Sequence, residues 1–304
     1  MANFSSNSIA TTAAFLSVTD TLSLIGLVAY GFFYFTLYQN WDTLRNSFYV
    51  LAIHLGVCDI LVLATQLTFG NFVLINELIT DYYYNGGIFG ELAGVVYSLF
   101  STGNSYFLLA IAVNRLLAVY KPQSYGHYFT KTKLTVVVMT VYGADIFMIG
   151  LMTFCGCKMS PRLHGYVYGC DAAGRCPNVH QKITAGSSLL VLFSFLAFSA
   201  VLILKAKNLK TLSANHRKKE RSLTLQLTLL CLAVAGKICT FVTTTFLTAT
   251  SVISAETNDI VFTITTLINC VINPFLYLTF GSELKNLMCK TFTSRSSVIA
   301  IAPG

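Results

Sequence analysis

Seven long apolar stretches constrain the fold of this chain more than any other feature of its sequence. They cover residues 14–38, 47–75, 88–120, 134–154, 183–204, 222–249 and 259–280. As an α-helix, each is long enough to cross a hydrocarbon layer about 30 Å thick. Backbone groups in lipid must be hydrogen-bonded within their own segment, which excludes isolated strands. We therefore predict an all-α protein built as a seven-transmembrane helix bundle.

The composition indicates lipid as the solvent of this bundle. Only 11% of the 304 residues are charged and 55% are hydrophobic, whereas about 25% of an ordinary soluble domain is charged. The net charge of +8 would suggest a nucleic-acid partner for a soluble protein. Here the distribution of the basic residues reports membrane topology instead, so we expect the lipid bilayer as a partner and no nucleic acid.

The basic residues predict the orientation of the chain. They concentrate after the first, third, fifth and seventh apolar spans, and none lies before the first span. Because basic residues favour the cytoplasmic side, the N-terminus is predicted outside and the C-terminus inside. Asn3, in an Asn-Phe-Ser glycosylation acceptor, agrees with this orientation. We expect an extracellular N-terminus (1–13), the membrane domain (14–280), an amphipathic inner-surface helix (281–293) and a cytoplasmic tail (294–304).

The cysteines suggest two modifications. One polar loop carries four of them, and an oxidising compartment would favour at least one disulfide there, with the pairing left open. These four are Cys155, Cys157, Cys170 and Cys176. Cys289 lies in the predicted inner-surface helix and is a candidate for palmitoylation.

Four polar side chains lie inside the apolar spans. Such a group is costly in lipid unless it has a partner, so it is a functional candidate or a hydrogen bond between helices. Asn269 and Asn273 share a helix face because they lie four residues apart. Together with Asp59 and Asn104 they are expected to form one polar cluster, which either binds a sodium ion or is a purely structural network.

Three charged residues inside the spans are unusual, namely Asp20, Asp145 and Lys237. Lys237 either faces a ligand pocket with Tyr97 and Ser101 and pairs with an acidic ligand, or interacts with an internal acid, which the cost of an unpaired ammonium favours. A transporter or channel would use the three charges along a path through the bilayer. That function is the alternative to the one developed below.

The sequence gives no support to an enzyme. It contains no glycine-rich phosphate loop, no HExxH and no GxSxG, which are the patterns of common phosphate, zinc and serine sites. Its five histidines are scattered without metal-ligand spacing. We therefore expect no catalytic residues, no metal and no cofactor.

Motifs in the second, third and seventh spans resemble those of the rhodopsin-like G-protein-coupled receptors. The run Asn273-Pro274-Phe275-Leu276-Tyr277 is similar to their NPxxY motif, and Asp59 matches their buried aspartate of the second helix. The run Asn114-Arg115-Leu116 matches their DRY motif in its arginine alone. Counted from Arg115 and Pro274, Asn104 and Asn269 fall at polar sodium-site positions of that family.

This resemblance implies a receptor that binds a small molecule inside the bundle. The inner ends of the third, fifth and sixth helices would rearrange to admit a heterotrimeric G protein. Coupling or activation would involve Arg115, Asn114, Asn273, Pro274 and Tyr277. Asn114 replaces the acid that would pair with Arg115, so the lock of the inactive state must be weaker or differently built.

Further departures from the family pattern narrow the resemblance. Gly90 stands in place of the third-helix cysteine, and the first span lacks the family's asparagine. Tyr97 and Leu267 stand where amine receptors carry an aspartate and opsins carry a lysine, which disfavours both kinds of receptor. With these common motifs missing, the sequence is most similar to the nematode chemosensory serpentine receptors. The resemblance implies a role in sensory perception and a location in the plasma membrane, including the cilia of sensory neurons.

Overall fold

The computed structural model describes residues 6–72, 87–121, 123–155, 157–162, 165–170, 192–198, 200–201, 214–280, 284–285 and 287. Within these ranges six helices are long and apolar enough to cross a membrane. Most of the predicted fifth span lies outside them, although residues 192–198 and 200–201 are helical. The predicted modification sites Asn3 and Cys289, the loop residue Cys176 and the tail 294–304 also lie outside the described residues.

The helices follow the predicted order of the spans. In chain order they are α1 (Ser6–Gln39), α2 (Trp41–Leu44), α3 (Ser47–Thr65), α4 (Gly87–Tyr120), α5 (Tyr125–Tyr128), α6 (Lys131–Phe154), α7 (Ala214–Ala249) and α8 (Ala255–Phe280). A π-helical turn, Gln66–Gly70, continues α3. α1 and α7 begin before the predicted starts of their spans, so α7 includes the basic run 216–221.

A two-stranded hairpin follows α6, where the sequence indicated only a polar loop. Strands β1 (Cys157–Arg162) and β2 (Gly165–Cys170) pair antiparallel and place Cys157 opposite Cys170. β1 packs against α4 and α6, and β2 packs against α8. The protein is therefore a helical bundle with one small hairpin beside it.

Side-chain caps help to define where two of the long helices begin. The side chain of Asn46 accepts a hydrogen bond from the backbone N–H of Tyr49 at the start of α3, at 3.2 Å. At the start of α6, Thr130 Oγ1 accepts from the N–H of Lys133 at 3.4 Å. Such caps satisfy backbone donors that have no partner within the helix. Both helices begin at the end of the bundle that carries Arg45, Lys131 and Lys133, which we call the basic end.

Close approach of helices holds the bundle together. In lipid, helix association relies on packing and hydrogen bonds, and small residues at the interface permit it. A Cβ atom at Gly56 of α3 would lie only 2.6 Å from the hydroxyl oxygen of Tyr34 in α1. Glycine at this position therefore allows α3 to pack directly on the tyrosines of α1.

The outward face of α6 fits a membrane environment. Val136, Met139, Ile146 and Phe147 are all at least 60% exposed in the isolated chain. Large apolar side chains on one helix face, without protein around them, are expected where the neighbour is lipid. α6 is thus an outer helix of the bundle.

Candidate functional site

The predicted polar cluster comes together around Asp59 of α3. Its fully buried carboxylate accepts hydrogen bonds from Tyr30 of α1, from Asn104 of α4 and, at 2.7 Å, from Asn273 Nδ2 of α8. Asn269 Nδ2 donates to Asn104 Oδ1 at 3.0 Å. We call these five residues the polar core. It joins four helices at one buried carboxylate.

The remaining acceptors of the polar core indicate how it can be completed. A carboxylate can accept about four hydrogen bonds. The carboxylate of Asp59 accepts three from Tyr30, Asn104 and Asn273. Asn269 Oδ1 and Asn273 Oδ1 are buried, and neither has a hydrogen-bond partner among the described residues. Buried acceptors of this kind usually bind ordered water. Together with the carboxylate of Asp59, these two oxygens are acceptors for either alternative, an ordered water network or a sodium ion.

Tyr30 is the member of the polar core that the sequence did not reveal. The first span lacks the asparagine of the family pattern, and a tyrosine in an apolar helix gives little signal because aromatic packing is its usual role. Its ring does pack, against Phe33 and Tyr34 at 6.2 Å between centroids. Its hydroxyl nevertheless donates the only hydrogen bond from α1 to Asp59 within the part of the chain that the structure describes.

Lys237 of α7 lies near this core. Its side chain is only 8% exposed and forms no hydrogen bond or ion pair with any residue that the structure describes. The carboxylate of Asp59 lies within electrostatic range of its side chain. The other candidate pocket residues lie on α4, where Tyr97 is buried and Ser101 is half-buried.

The other two intramembrane acids lie in different surroundings. Asp20 of α1 accepts from Asn71 Nδ2 at 3.0 and 3.1 Å. Asp145 of α6 is buried beside Gly103 of α4, and neither of its oxygens has a hydrogen-bond partner among the described residues.

Arg115 and Tyr277 both contact one aromatic side chain, Phe48, at the basic end. The guanidinium carbon of Arg115 lies 3.6 Å from the centroid of the Phe48 ring. The ring of Tyr277 packs edge-to-face against that of Phe48, with centroids 5.8 Å apart, and in a tilted arrangement against that of Phe33, with centroids 5.4 Å apart. The sequence did not single out Phe48 for this role. Through it the structure connects the third-span arginine with the end of the Asn-Pro motif.

Asn114 forms hydrogen bonds with the start of α3 and with α5, the short helix between α4 and α6. Its Nδ2 donates to Ser47 Oγ and to the Tyr125 hydroxyl, both at 3.0 Å. Ser47 Oγ and the Tyr125 oxygen lie 2.6 Å apart. These contacts fasten α5 to the start of α3. A neutral Asn114 cannot form an ion pair with Arg115, and its hydrogen bonds go to these two hydroxyl groups instead.

The remaining predicted site residues are the proline of α8 and the cysteines in and beside the hairpin. Pro274 lies inside α8, where its missing N–H removes a helical hydrogen bond. Cys157 is disulfide-bonded, while Cys155 is a buried thiol. The hairpin register places the backbone of Cys170 opposite Cys157.

The apolar helices, the buried polar core and the proline-containing α8 define a helical, multi-pass membrane protein. The description 7 transmembrane receptor (rhodopsin family) matches residues 16–277, and the chain belongs to this family. A comparison with curated proteins finds no match. Members of the family are receptors rather than enzymes and couple to heterotrimeric G proteins. Membership favours the receptor over the transporter alternative.

Proposed function

We propose that this receptor is chemosensory and binds a small extracellular molecule within the helix bundle. The observation that carries the proposal is the continuous set of contacts from the polar core to the basic end. Asn273 contacts Asp59, and Tyr277, one turn further along α8, contacts Phe48 beneath Arg115. A ligand that changes the packing of α8 would therefore alter the surroundings of Arg115.

The basic end is proposed to be cytoplasmic. Arg45, Lys131 and Lys133 lie there with Arg115, and basic residues favour the cytoplasmic side. The N-terminus is then outside, in the plasma membrane or, in a sensory neuron, its cilium. In this orientation Asn3 can be glycosylated, the Cys157 disulfide lies on the oxidising side, and Cys289 lies where palmitoylation occurs.

Signalling is proposed to be a shift between two packings of the bundle. A ligand moves such an equilibrium only if it binds one packing more tightly than the other. The stacking of a cation on an aromatic ring contributes about 0.5–2 kcal/mol, whereas breaking a buried ion pair costs about 3–5 kcal/mol. Because the neutral Asn114 cannot form the family's ion pair with Arg115, that pair does not hold the inactive packing, which is then weaker or built on other contacts. The G protein is admitted at the inner ends of α4, α7 and the fifth span.

The proposed coupling role of Arg115 is tested by a second-messenger assay in cells that express the chain, across a panel of small molecules. Arg115→Ala is expected to abolish the response while surface expression is retained. Lys121→Ala is the matched control, since it removes a positive charge at the end of the same helix without touching Phe48. Equal responses in all three proteins would refute the role of Arg115.

The ligand pocket is proposed to include Tyr97 and Ser101, with Lys237 beneath it as an internal countercharge for Asp59. A buried ammonium is costly without a nearby negative charge, and Asp59 supplies one. Lys237→Met should therefore lower the stability of the receptor without changing the relative potencies of acidic and neutral ligands. A selective loss of potency for acidic ligands would show instead that Lys237 binds the ligand.

The polar core is proposed to be a hydrated hydrogen-bond network. The three donors on Asp59 and the orphaned oxygens of Asn269 and Asn273 support this. Agonist affinity should then respond equally to sodium and potassium chloride. A specific effect of sodium that is lost in Asp59→Asn would establish an ion site.

A further inference from the structure

A groove at the basic end is separate from the polar core and from the candidate ligand pocket. It has a volume of about 760 Å³ and lies among α2, the start of α3 and the first turns of α6. Arg45 and Lys131 line it, and none of the described residues that line it is acidic. The fold thus brings two cations from distant parts of the sequence to one concave surface.

Both cations are available to an external anion. Arg45 and Lys131 are exposed, and the side chain of neither forms a hydrogen bond or an ion pair with any residue in the described ranges. Lys133, by contrast, donates to the backbone oxygen of His127 at 2.8 Å. The charge in the groove is therefore not neutralised by the protein around it.

The rest of the groove is apolar and lies where a lipid would pass. Val50, Leu134 and Val138 form part of its wall, and Trp41 lies beside them. Lys131 is the first residue of a membrane-length helix, so the cations lie at the level of the lipid headgroups. Tryptophan is enriched at this level because its ring is amphipathic. Charge at the mouth and an apolar wall below it match the two ends of a phospholipid.

We propose that this groove is a binding site for an anionic phospholipid, with the headgroup on Arg45 and Lys131 and an acyl chain along Val50, Leu134 and Val138. Basic pockets between transmembrane helices on the cytoplasmic side are suited to anionic headgroups. Two cations favour an anionic over a zwitterionic lipid by about thirty-fold in local concentration. The bound lipid packs against α2, α3 and α6 and so stabilises the arrangement that faces the G protein.

The sequence offers a direct probe of this site, because the chain has a single tryptophan, Trp41, and it lines the groove. The full chain would be placed in phosphatidylcholine nanodiscs that contain a minor fraction of bromine-labelled phosphatidylserine. Bromine quenches tryptophan fluorescence on close approach. The reference sample carries the same fraction of bromine-labelled phosphatidylcholine.

The site predicts much stronger quenching by the labelled phosphatidylserine than by the labelled phosphatidylcholine, and a smaller difference at high salt because charge attraction is screened. Arg45→Gln with Lys131→Gln should remove the difference, whereas Arg45→Lys with Lys131→Arg should retain it. Lys121→Gln with Lys133→Gln removes the same charge outside the groove and should also retain it.

Three results would overturn the proposal. Equal quenching by the two labelled lipids in the unmodified chain would mean that the groove does not select anionic lipid. A difference that persists after loss of Arg45 and Lys131 would place the selectivity elsewhere. An equal loss in the Lys121 and Lys133 control would reduce the effect to general charge attraction. The thermal stability of each variant is measured as well, and a value equal to that of the unmodified chain shows that the variant is folded.

Discussion

Replacing Tyr30 with phenylalanine is expected to destabilise the receptor through one hydrogen bond. The change keeps the aromatic ring that packs against Phe33 and Tyr34 and removes only the hydroxyl that donates to Asp59. A hydrogen bond to a charged group contributes about 1.5–3 kcal/mol. Because Asn104 and Asn273 still donate to Asp59, the lower part of this range, about 1.5–2 kcal/mol, is expected.

Tyr34→Phe is the matched control, since it removes a hydroxyl from the same helix face one turn away. That hydroxyl donates to the neutral backbone oxygen of Ile53 at 2.7 Å. Hydrogen bonds between neutral groups in membrane proteins average about 0.6 kcal/mol. The two substitutions should thus differ by about 1 kcal/mol in the free energy of unfolding, taking both ranges together.

The difference can be measured by thermal unfolding of the detergent-solubilised protein with a thiol-reactive fluorogenic dye. Cys58 and Cys270 are buried, so the dye reports their exposure as the bundle opens. In the Asp59→Asn background the extra cost of Tyr30→Phe should largely disappear, because the charged acceptor is gone. Equal losses for Tyr30→Phe and Tyr34→Phe, or no coupling to Asp59, would refute the charge-assisted bond.

Two further substitutions test the basic end and the buried acid of α6. Asn114→Asp should lower basal second-messenger production, because the new carboxylate can pair with Arg115 and still accept a hydrogen bond from the Tyr125 hydroxyl. Unchanged or increased basal production would contradict the proposal that the missing acid at position 114 weakens the inactive state. Gly103→Ala should destabilise the folded protein by about 1–3 kcal/mol, as overpacking does, because the added Cβ would lie 2.7 Å from Asp145 Oδ2. Combining it with Asp145→Ala should recover much of that loss in thermal unfolding, and an unrecovered loss would point to strain elsewhere.

The bundle and the meeting of its polar residues were predictable because both depend on periodicity. Apolar runs of membrane length require helices, and polar groups that lipid excludes must turn inward. Asp59, Asn104, Asn269 and Asn273 therefore converge as the spacing predicts. The sequence could not specify the donor count on Asp59, since that depends on rotamers and on the approach of α1.

The contacts that the sequence missed depend on tertiary packing between distant segments. Arg115 stacks on Phe48 because the start of α3 lies beside the end of α4, and nothing in the run 45–49 distinguishes this ring from an ordinary core residue. Ser47 begins α3 and Tyr125 begins α5, far apart in the sequence, so their hydrogen bonds with Asn114 leave no local sequence pattern. The hairpin was hidden because strand pairing in a polar loop leaves no apolar alternation.

Nucleotide exchange on a purified heterotrimeric G protein, with the full chain reconstituted in a bilayer, tests the central claim most directly. The reconstituted receptor is expected to accelerate exchange even without ligand, because the neutral Asn114 cannot form the ion pair with Arg115 that an acid at this position would form. Arg115→Ala is expected to return the rate to that of empty bilayers. An exchange rate that equals that of empty bilayers across a panel of G proteins and ligands, or one that Arg115→Ala leaves unchanged, would contradict the account.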